Sequence, residues 1–238
     1  MSNGNVFERL WKLEAQVNKL VLDGKRDPEK VANIYQAILE GSVEATFSKE
    51  PKTEPTVKFD WTKVYASLGL EAEYAEFAQT NSANFIPANI WKVPVVQGAT
   101  PNKVVTALRG LGVAVYLYTD DLDTNVTKND RDLANGSYSV SFNANIEADP
   151  ELVNKSADTL KAENVNGITL LERLLLEVAY FMATKKHLDE KNVTLCSGSR
   201  RSDGSVPYVG WGSDGREVCV SWYSAGYSDS DLRARAVS

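Results

Sequence analysis

The side chains with the greatest capacity for chemistry lie at the end of the chain. The segment from Ser197 to Ser238 is built mostly from Ser, Gly, Tyr, Asp, Trp and Arg, and it contains no Lys. Tyr and Trp offer large, rigid contact surfaces that can also form hydrogen bonds, while Ser and Gly let neighbouring positions adapt. Antibody paratopes favour the same residue types. The composition of this segment therefore predicts a surface that binds a macromolecule.

The residues that often carry catalysis are few and isolated from one another. Cys196 and Cys219 lie in no CxxC or His-rich setting, so the sequence predicts free thiols and no zinc site. His187 is the single histidine, and its position at the end of a predicted helix favours interaction with the helix dipole, or simple solvation, over general-base catalysis. We therefore expect no catalytic residue, no metal and no cofactor.

The acidic stretch over residues 120–140 invites comparison with an EF-hand loop. Such a loop needs ligands at alternating positions, a central Gly and a final Glu, and this stretch has neither residue at those offsets. We predict a solvated loop here.

Charge and hydropathy limit the partners and the location of the protein. The formal net charge of −6 argues against a nucleic-acid-binding protein, because phosphate contacts need a basic face. Glu8, Arg9 and Lys12 interrupt the first apolar stretch, which excludes a signal peptide, and no later run is long enough to span a membrane. The sequence predicts a cytoplasmic protein without nucleic-acid or membrane partners.

The elements that position the tail begin with two short helices. Apolar residues recur at helical spacing over residues 7–24, and Asp27 and Pro28 open a second helix that stops at Gly41. A polar, proline-bearing linker follows over residues 42–55. The predicted division is an N-terminal helical hairpin with its linker over residues 1–55 and a larger domain over residues 56–238.

The larger domain mixes helices and strands, so the predicted fold class is α+β. Its strongest element is a helix over residues 168–188, in which Thr169 and Glu172 form a capping box and the leucines belong to the core. Asp149 is predicted to cap another helix over residues 149–165. The remaining predictions are helical spacing over 59–77, an irregular segment over 84–98, a short helix over 104–112, a buried strand over 113–119 and a strand over 137–148.

Short strands separated by Asp-Gly turns follow the long helix, which predicts an antiparallel hairpin region. Alternation in the sequence VCVSW assigns Val218, Val220 and Trp222 to one face, with Cys219 and Ser221 on the other. In the last strand, Arg233 and Arg235 share a face and are predicted to pair with carboxylates. The predicted strands span residues 192–199, 205–211, 216–224 and 232–238.

The order of these elements resembles the C-type lectin-like fold of the formylglycine-generating-enzyme type. The segments GITLLERLLLEVAYF, KHLDEKNVTLCSGSR, SDGSVPYV and LRARAVS resemble variable proteins of diversity-generating retroelements from candidate-phyla bacteria, and RDPEKVANIYQAILE resembles a frequent N-terminal module of those proteins. In that family, adenine-directed mutagenesis rewrites mostly Asn codons at scattered positions of a fixed frame. The resemblance implies a hypervariable C-terminal surface, over about residues 197–231, that binds a macromolecular ligand such as a protein.

Residues reachable from Asn codons alternate in this tail with a frame that includes Val206, Pro207, Trp211, Trp222 and Leu232. The resemblance implies diversified positions at Arg201, Ser205, Tyr208, Gly210, Gly212, Cys219, Ser221, Ser224, Gly226, Tyr227, Ser228 and Ser230, with Tyr223 as a further ligand-binding residue. The tyrosines would be aromatic anchors where they are exposed.

Three alternatives stay open. Formylglycine-generating oxidases resemble the same fold and use a cysteine pair that handles copper, which would give roles to Cys196 and Cys219. A calcium-dependent glycan lectin is another alternative, although the tail lacks a Glu-Pro-Asn or Gln-Pro-Asp tripeptide. The N-terminal helices, with Phe7, Trp11 and Tyr35, could instead carry the biology as a docking module or assemble a homo-oligomer.

Overall fold

The chain divides into two compact units, Met1–Pro55 and Thr56–Ser238. The computed structural model describes residues 4–24, 27–40, 57–81 and 89–237. Within these ranges, no helix is both long enough and apolar enough to cross a membrane.

The first unit contains the two predicted helices, α1 (Gly4–Leu22) and α2 (Pro28–Leu39). The Asp27 side chain caps α2 by accepting the backbone N–H of Glu29 at 2.9 Å, which confirms the predicted helix start. Large apolar side chains of both helices are exposed, with Trp11 at 80% and Leu39 at 82%. The predicted linker over residues 42–55 and the side chain of Phe7 lie outside the described part of the chain.

The second unit is a mixture of helices and strands, which confirms the α+β class. Its helices are α3 (Trp61–Ser67), α4 (Glu71–Thr80), α5 (Pro101–Gly110), α6 (Leu122–Asn125), α7 (Ala157–Ala162) and α8 (Leu170–Thr184), with 3-10 turns at Leu133–Asn135 and Pro150–Leu152. Its strands are β1 (Ile90–Val95), β2 (Val115–Leu117), β3 (Val126–Asn129), β4 (Tyr138–Asn143), β5 (Val193–Leu195), β6 (Ser199–Arg201), β7 (Val206–Gly212), β8 (Glu217–Tyr223) and β9 (Leu232–Ala234).

The tail residues belong to a five-stranded sheet with the order β2-β8-β7-β5-β9. Strands β7 and β8 form its longest ladder, an antiparallel hairpin closed at residues 213–216. The last strand is not antiparallel as predicted, because β9 pairs in parallel with β5. The connection after Tyr223 is too long for a tight hairpin and carries the chain past β7 and β5 to the far edge of the sheet. Strand β2 also joins in parallel, alongside β8.

Helix α8 is the centre of the main hydrophobic core. Its predicted capping box is present, since Thr169 accepts the backbone N–H of Glu172 and the Glu172 carboxylate accepts the backbone N–H of Thr169. Leu174 and Leu175 are fully buried and belong to the same cluster as Val220 in the sheet. The prediction that the leucines of this helix are core residues is therefore confirmed for Leu174 and Leu175.

A second, smaller core covers part of the opposite face of the sheet. Its buried members come from the 3-10 turn at Pro150–Leu152, from α7 and from three strands. They are Leu152, Ala157, Leu160, Leu195, Val206, Leu232 and Ala234. The sheet thus has one face packed against α8 in the main core and another face that is only partly covered.

Several predicted elements differ from the observed ones. The segment predicted to be irregular contains strand β1, which pairs antiparallel with β4. The strand predicted to be buried over residues 113–119 is reduced to the three residues of β2, with Tyr116 48% exposed. The acidic stretch over residues 120–140 contains α6 and β3 and is more ordered than a loop, because the Asp121 carboxylate caps α6.

The single helix predicted over residues 149–165 is interrupted. Asp149 makes no capping hydrogen bond, because its carboxylate instead accepts the backbone N–H of Ala236 at 2.8 Å and lies 3.2 Å from the amide of Asn145. A 3-10 turn follows, and α7 begins only after Ser156, whose hydroxyl accepts the backbone N–H of Thr159. Asp149 thus joins the end of the chain to the body of the domain.

Candidate functional site

Strand register brings the predicted binding residues of β7 and β8 onto one face of the sheet. Tyr208 lies opposite Ser221, and Gly210 lies opposite Cys219. Residues directly opposite in an antiparallel ladder point to the same face, and successive residues of a strand point to opposite faces. The Cβ that Gly212 lacks would lie 2.9 Å from the Cys219 sulfur, as expected for neighbours on this face.

The alternate residues of the same two strands face the main core. Val209, Val218 and Val220 are at most 1% exposed and pack in the cluster that contains α8. Trp222 lies on the same face, is partly buried and packs against this cluster. The observed faces agree with the alternation that the sequence predicts, and Trp222 is a packing residue more than a free anchor.

Three tyrosines form a continuous stack at one end of the outward face. The ring centroids of Tyr208 and Tyr223 are 4.3 Å apart, and those of Tyr223 and Tyr227 are also 4.3 Å apart. Tyr208 and Tyr223 pack against the edge of the smaller core, which fixes their rings. Tyr227 is 37% exposed and donates its hydroxyl hydrogen to the Asp229 carboxylate at 3.2 Å. The stack therefore runs from a packed base to an exposed ring.

The phenol groups of Tyr223 and Tyr227 remain protonated near neutral pH. Burial, followed by the neighbouring Tyr208 and Tyr227, raises the pKa of Tyr223 to about 12. The hydrogen bond to Asp229 is the main cause that raises the pKa of Tyr227 above 10.0. Both rings therefore offer an apolar surface together with a neutral hydroxyl that can donate or accept a hydrogen bond.

A further tyrosine on this face was missed by the sequence analysis. Tyr116 of β2 is paired with Cys219 in the parallel register, so it shares the outward face. Tyr118, two residues later, is 64% exposed. The signal was available in VAVYLYT, where tyrosines alternate with Val115 and Leu117. We refer to Tyr116, Tyr208, Cys219, Ser221, Tyr223 and Tyr227 together as the tyrosine face.

The loop over residues 224–231 borders the tyrosine face and carries the predicted residues Ser224, Gly226, Ser228 and Ser230, all of which are exposed. Asp229 organises the loop, because its carboxylate accepts the backbone N–H of Asp231 and the hydroxyl of Ser230. Another backbone hydrogen bond joins the carbonyl of Ala225 to the N–H of Asp158 on α7. Hydrogen bonds at Asp229 and at Ala225 thus hold the loop in place.

Two predicted residues are not brought to the tyrosine face. Arg201 lies over the ring of Trp222, with its guanidinium carbon 5.5 Å from the centroid, and Trp222 belongs to the inward face. Ser205 lies in the turn between β6 and β7, where its hydroxyl donates to the Asp203 carboxylate. Both residues have local packing or turn roles, and the register does not join them to Tyr208 or Ser221.

Gly210 lies on the same side of the sheet as the tyrosine face, and its position has no room for a side chain. It is buried, and an added Cβ would lie 2.6 Å from Cγ1 of Val193 in the adjacent strand β5. Gly226 in the loop differs, because its nearest neighbour to an added Cβ is the Asp158 carboxylate at 3.7 Å. Of the predicted glycines, the loop position accepts substitution without repacking and Gly210 does not.

We expect Gly210→Ser to lower the free energy of unfolding by about 1–3 kcal/mol, because an overpacked site forces its neighbours to shift. Gly226→Ser, the matched control, should stay within about 0.5 kcal/mol of the parent protein. Urea unfolding followed by circular dichroism measures both values. Equal stability of the two variants would show that Val193 moves freely and that Gly210 is an open position.

The two cysteines lie in different environments on opposite faces of the sheet. Cys196 is fully buried and belongs to the main core, whereas Cys219 is partly buried on the tyrosine face. Burial raises the pKa of both thiols above 9.0, and Glu217 adds to the effect at Cys219. Thiols with raised pKa values are weak nucleophiles and weak metal ligands. In the described ranges, no group of three or more His, Cys, Asp or Glu residues is arranged to hold a metal ion.

A buried charge network lies between α8 and the end of the chain, and the sequence analysis did not predict it. The carboxylate of Asp189 binds two fully buried arginines, with Oδ2 3.0 Å from Nε of Arg173 and Oδ1 2.7 Å from Nη2 of Arg235. Arg235 also donates to the carbonyls of Asn145 and Ile146, both at 2.7 Å. The prediction that Arg235 bridges a carboxylate is confirmed. The same prediction is wrong for Arg233 of β9, which donates to the backbone carbonyl of Ala148.

The network continues to the single histidine. Arg173 donates to Glu177 at 2.7 Å, and the second carboxylate oxygen of Glu177 lies 2.9 Å from Nδ1 of His187. The imidazole stacks on Trp211 with a centroid distance of 3.7 Å. The expectation that His187 is simply solvated is therefore wrong, because stacking on Trp211 and the Glu177 carboxylate hold it. The expected interaction with the helix dipole stays a prediction. Its partners are structural groups of α8 and β7.

Comparison with protein-family models, with curated proteins and with solved structures found no significant match for this chain.

Proposed function

We propose that this protein recognises a macromolecular ligand, most simply a protein, through the tyrosine face and the adjoining loop over residues 224–231. In this proposal the domain has a C-type lectin-like fold and a retroelement diversifies its outward residues. The observation that carries the proposal is the face that each residue occupies: the predicted positions Tyr208, Cys219 and Ser221 point to the tyrosine face, while Val209, Val218 and Val220 point into the main core. The frame residue Val206 lies on the same face as Tyr208, but it is buried in the smaller core.

The chemistry of the surface suits macromolecular recognition. Aromatic residues dominate binding energy at interfaces when they are held rigidly, because little side-chain entropy is lost on binding. Tyr208 and Tyr223 are held by stacking and by the smaller core, Tyr227 presents an exposed ring next to Tyr223, and Tyr116 presents an exposed ring next to Cys219. Ser221 and the serines of the loop supply small polar groups between the rings. This combination of fixed aromatic and adaptable polar positions supports the proposal.

Diversification needs a backbone that does not depend on the diversified side chains. The buried side of the sheet meets this requirement, since α8 and the valines of β7 and β8 pack without any contribution from the tyrosine face. The loop is likewise held by backbone hydrogen bonds at Ala225 and Tyr227. Substitutions at outward positions other than the crowded Gly210 can therefore change the surface while the strands keep their register.

The alternatives of an oxidase and a calcium-dependent lectin have no specific observation in their favour. An oxidase of the type considered would use two cooperating thiols, whereas Cys196 and Cys219 lie on opposite faces of the sheet. A calcium site would need converging oxygen ligands, and the Asp229 carboxylate is instead engaged in organising its own loop.

Site-specific photo-crosslinking tests the proposal. A benzoylphenylalanine placed at Tyr227 or at Tyr116 should crosslink the same partner in an extract of the organism's own cells. In the variant that carries the crosslinker at Tyr227, the further change Tyr223→Ala should lower the crosslinking yield about tenfold or more, because it removes the middle ring of the stack. The matched control carries the crosslinker at Lys186, an exposed position beyond α8. Equal yields from Lys186 and Tyr227, or a yield that Tyr223→Ala leaves unchanged, would contradict the proposal.

A further inference from the structure

A polar cavity of about 280 Å³ lies on a different part of the domain and shares no residue with the tyrosine face. It is enclosed by α7, the turn that follows it, β3 and the segment from Ser197 to Arg200. Its volume is close to the lower end of the range for small-molecule sites, about 300–1,000 Å³. The cavity therefore has room for a small ligand.

Three cations from three different elements line the cavity. They are Lys128 of β3, Lys161 of α7 and Arg200 of β6, and Asp130 is the one carboxylate among the lining residues. Neither lysine forms an ion pair with a described residue. A concentration of positive charge in a chain of net charge −6 points to an anionic ligand.

Arg200 is fixed in position before any ligand binds. Its Nη1 donates to the backbone carbonyls of Ser197 at 2.6 Å and Ser199 at 2.9 Å. Its backbone lies opposite Lys128 in the pairing of β3 with β6, so the ladder sets the spacing of these two residues. The Nη2 and Nε groups make no described hydrogen bond and remain free for a ligand oxygen, which a planar guanidinium binds through two parallel contacts.

We propose that this cavity binds the phosphate group of a small phosphate monoester, a function beyond the recognition proposed above. A phosphate monoester carries about two negative charges at neutral pH, which matches three cations offset by one carboxylate better than a single carboxylate ligand does. Lysine and arginine side chains supply charge-assisted donors for its terminal oxygens. The amide side chains of Asn164 and Asn166 line the remaining space and suit a hydroxylated remainder such as a sugar.

Calorimetric titration of the full chain with ribose 5-phosphate tests this inference, with inorganic phosphate and ribose as separate probes. Ribose 5-phosphate should bind at least as tightly as inorganic phosphate, and ribose should not bind. Lys161→Gln and Arg200→Gln should each weaken binding about tenfold, because each removes a charge-assisted contact. Lys186→Gln, an exposed lysine elsewhere, is the matched control and should leave the affinity unchanged within roughly twofold.

Lys128→Gln keeps the test independent of folding defects, because Lys128 is exposed and forms no ion pair with a described residue. It should weaken ribose 5-phosphate binding about threefold or more while the unfolding midpoint stays unchanged. Backbone amide shifts at Lys161 and Ser197 should move on titration. Absence of binding at millimolar ribose 5-phosphate, an equal loss of affinity in Lys186→Gln, or shifts confined to other residues would overturn the inference.

Discussion

Asp189→Asn is expected to lower the free energy of unfolding by about 3–5 kcal/mol, the usual cost of leaving a buried charge without its partner. The change removes the negative charge between Arg173 and Arg235 and leaves Glu177 as the remaining carboxylate of the network. Water cannot compensate, because Asp189 and both arginines are fully buried. Urea unfolding at neutral pH measures the loss, with the adjacent exposed carboxylate of Glu190 as control in Glu190→Gln.

A double variant separates charge balance from packing. Adding Arg235→Gln to Asp189→Asn restores neutrality around Arg173 and Glu177. The double variant should therefore lose less free energy of unfolding than the sum of the losses in the two single variants. Strict additivity of the two losses would contradict the assignment of Asp189 as the counter-charge of Arg235.

The Asp189 carboxylate also makes the stability of the protein depend on pH. Burial acts to raise the pKa of Asp189, but Arg235 and Arg173 outweigh it and hold the pKa below 3.8. A carboxyl group whose pKa is lowered by folding stabilises the protein above its unfolded pKa, and that stability is lost as pH falls through the folded value. The parent protein should therefore lose stability below about pH 4, and Asp189→Asn should show a shallower loss over that range.

Val220→Asp and Ser221→Asp, at adjacent residues, are expected to differ by at least about 4 kcal/mol, because one buries an unpaired charge and the other does not. Val220 is fully buried under α8, whereas Ser221 is on the tyrosine face. Ser221→Asp should remain within about 0.5 kcal/mol of the parent protein. Urea unfolding monitored by circular dichroism provides the comparison.

Val220→Ala keeps the comparison measurable if Val220→Asp does not fold. This change should lower the free energy of unfolding by about 2 kcal/mol, because buried apolar area is lost and a cavity is left behind. Ser221→Ala should leave the free energy of unfolding nearly unchanged. A loss at Ser221 as large as the loss at Val220 would contradict the separation of the sheet into a structural face and a recognition face.

Local sequence signals predicted the parts of the domain that depend on neighbours in the chain. The capping box at Thr169 and the leucine spacing of α8 are both local features, and both are observed. Alternation along β8 gave the correct face for Val218 and Val220 because the period of a strand is two. The same rule, applied to Tyr116, would have found the missing member of the tyrosine face.

Features built from distant residues could not be predicted in this way. Arg173, Asp189 and Arg235 meet only because β9 crosses to the far edge of the sheet beside β5. Asp149 is an acceptable helix cap by type, but the N–H of Ala236 competes for its carboxylate. The crowding of Gly210 likewise depends on Val193 in another strand, which no local pattern reveals.

Sequencing this locus in closely related strains is the measurement that tests the central claim most directly. Our account predicts that amino-acid differences concentrate at the codons of Tyr208, Cys219 and Ser221 and of the loop over residues 224–231, while the codons of Val209, Val218 and Val220 stay unchanged. Differences spread evenly along the chain, or differences that fall as often on the inward valines as on Ser221 and Tyr227, would contradict it.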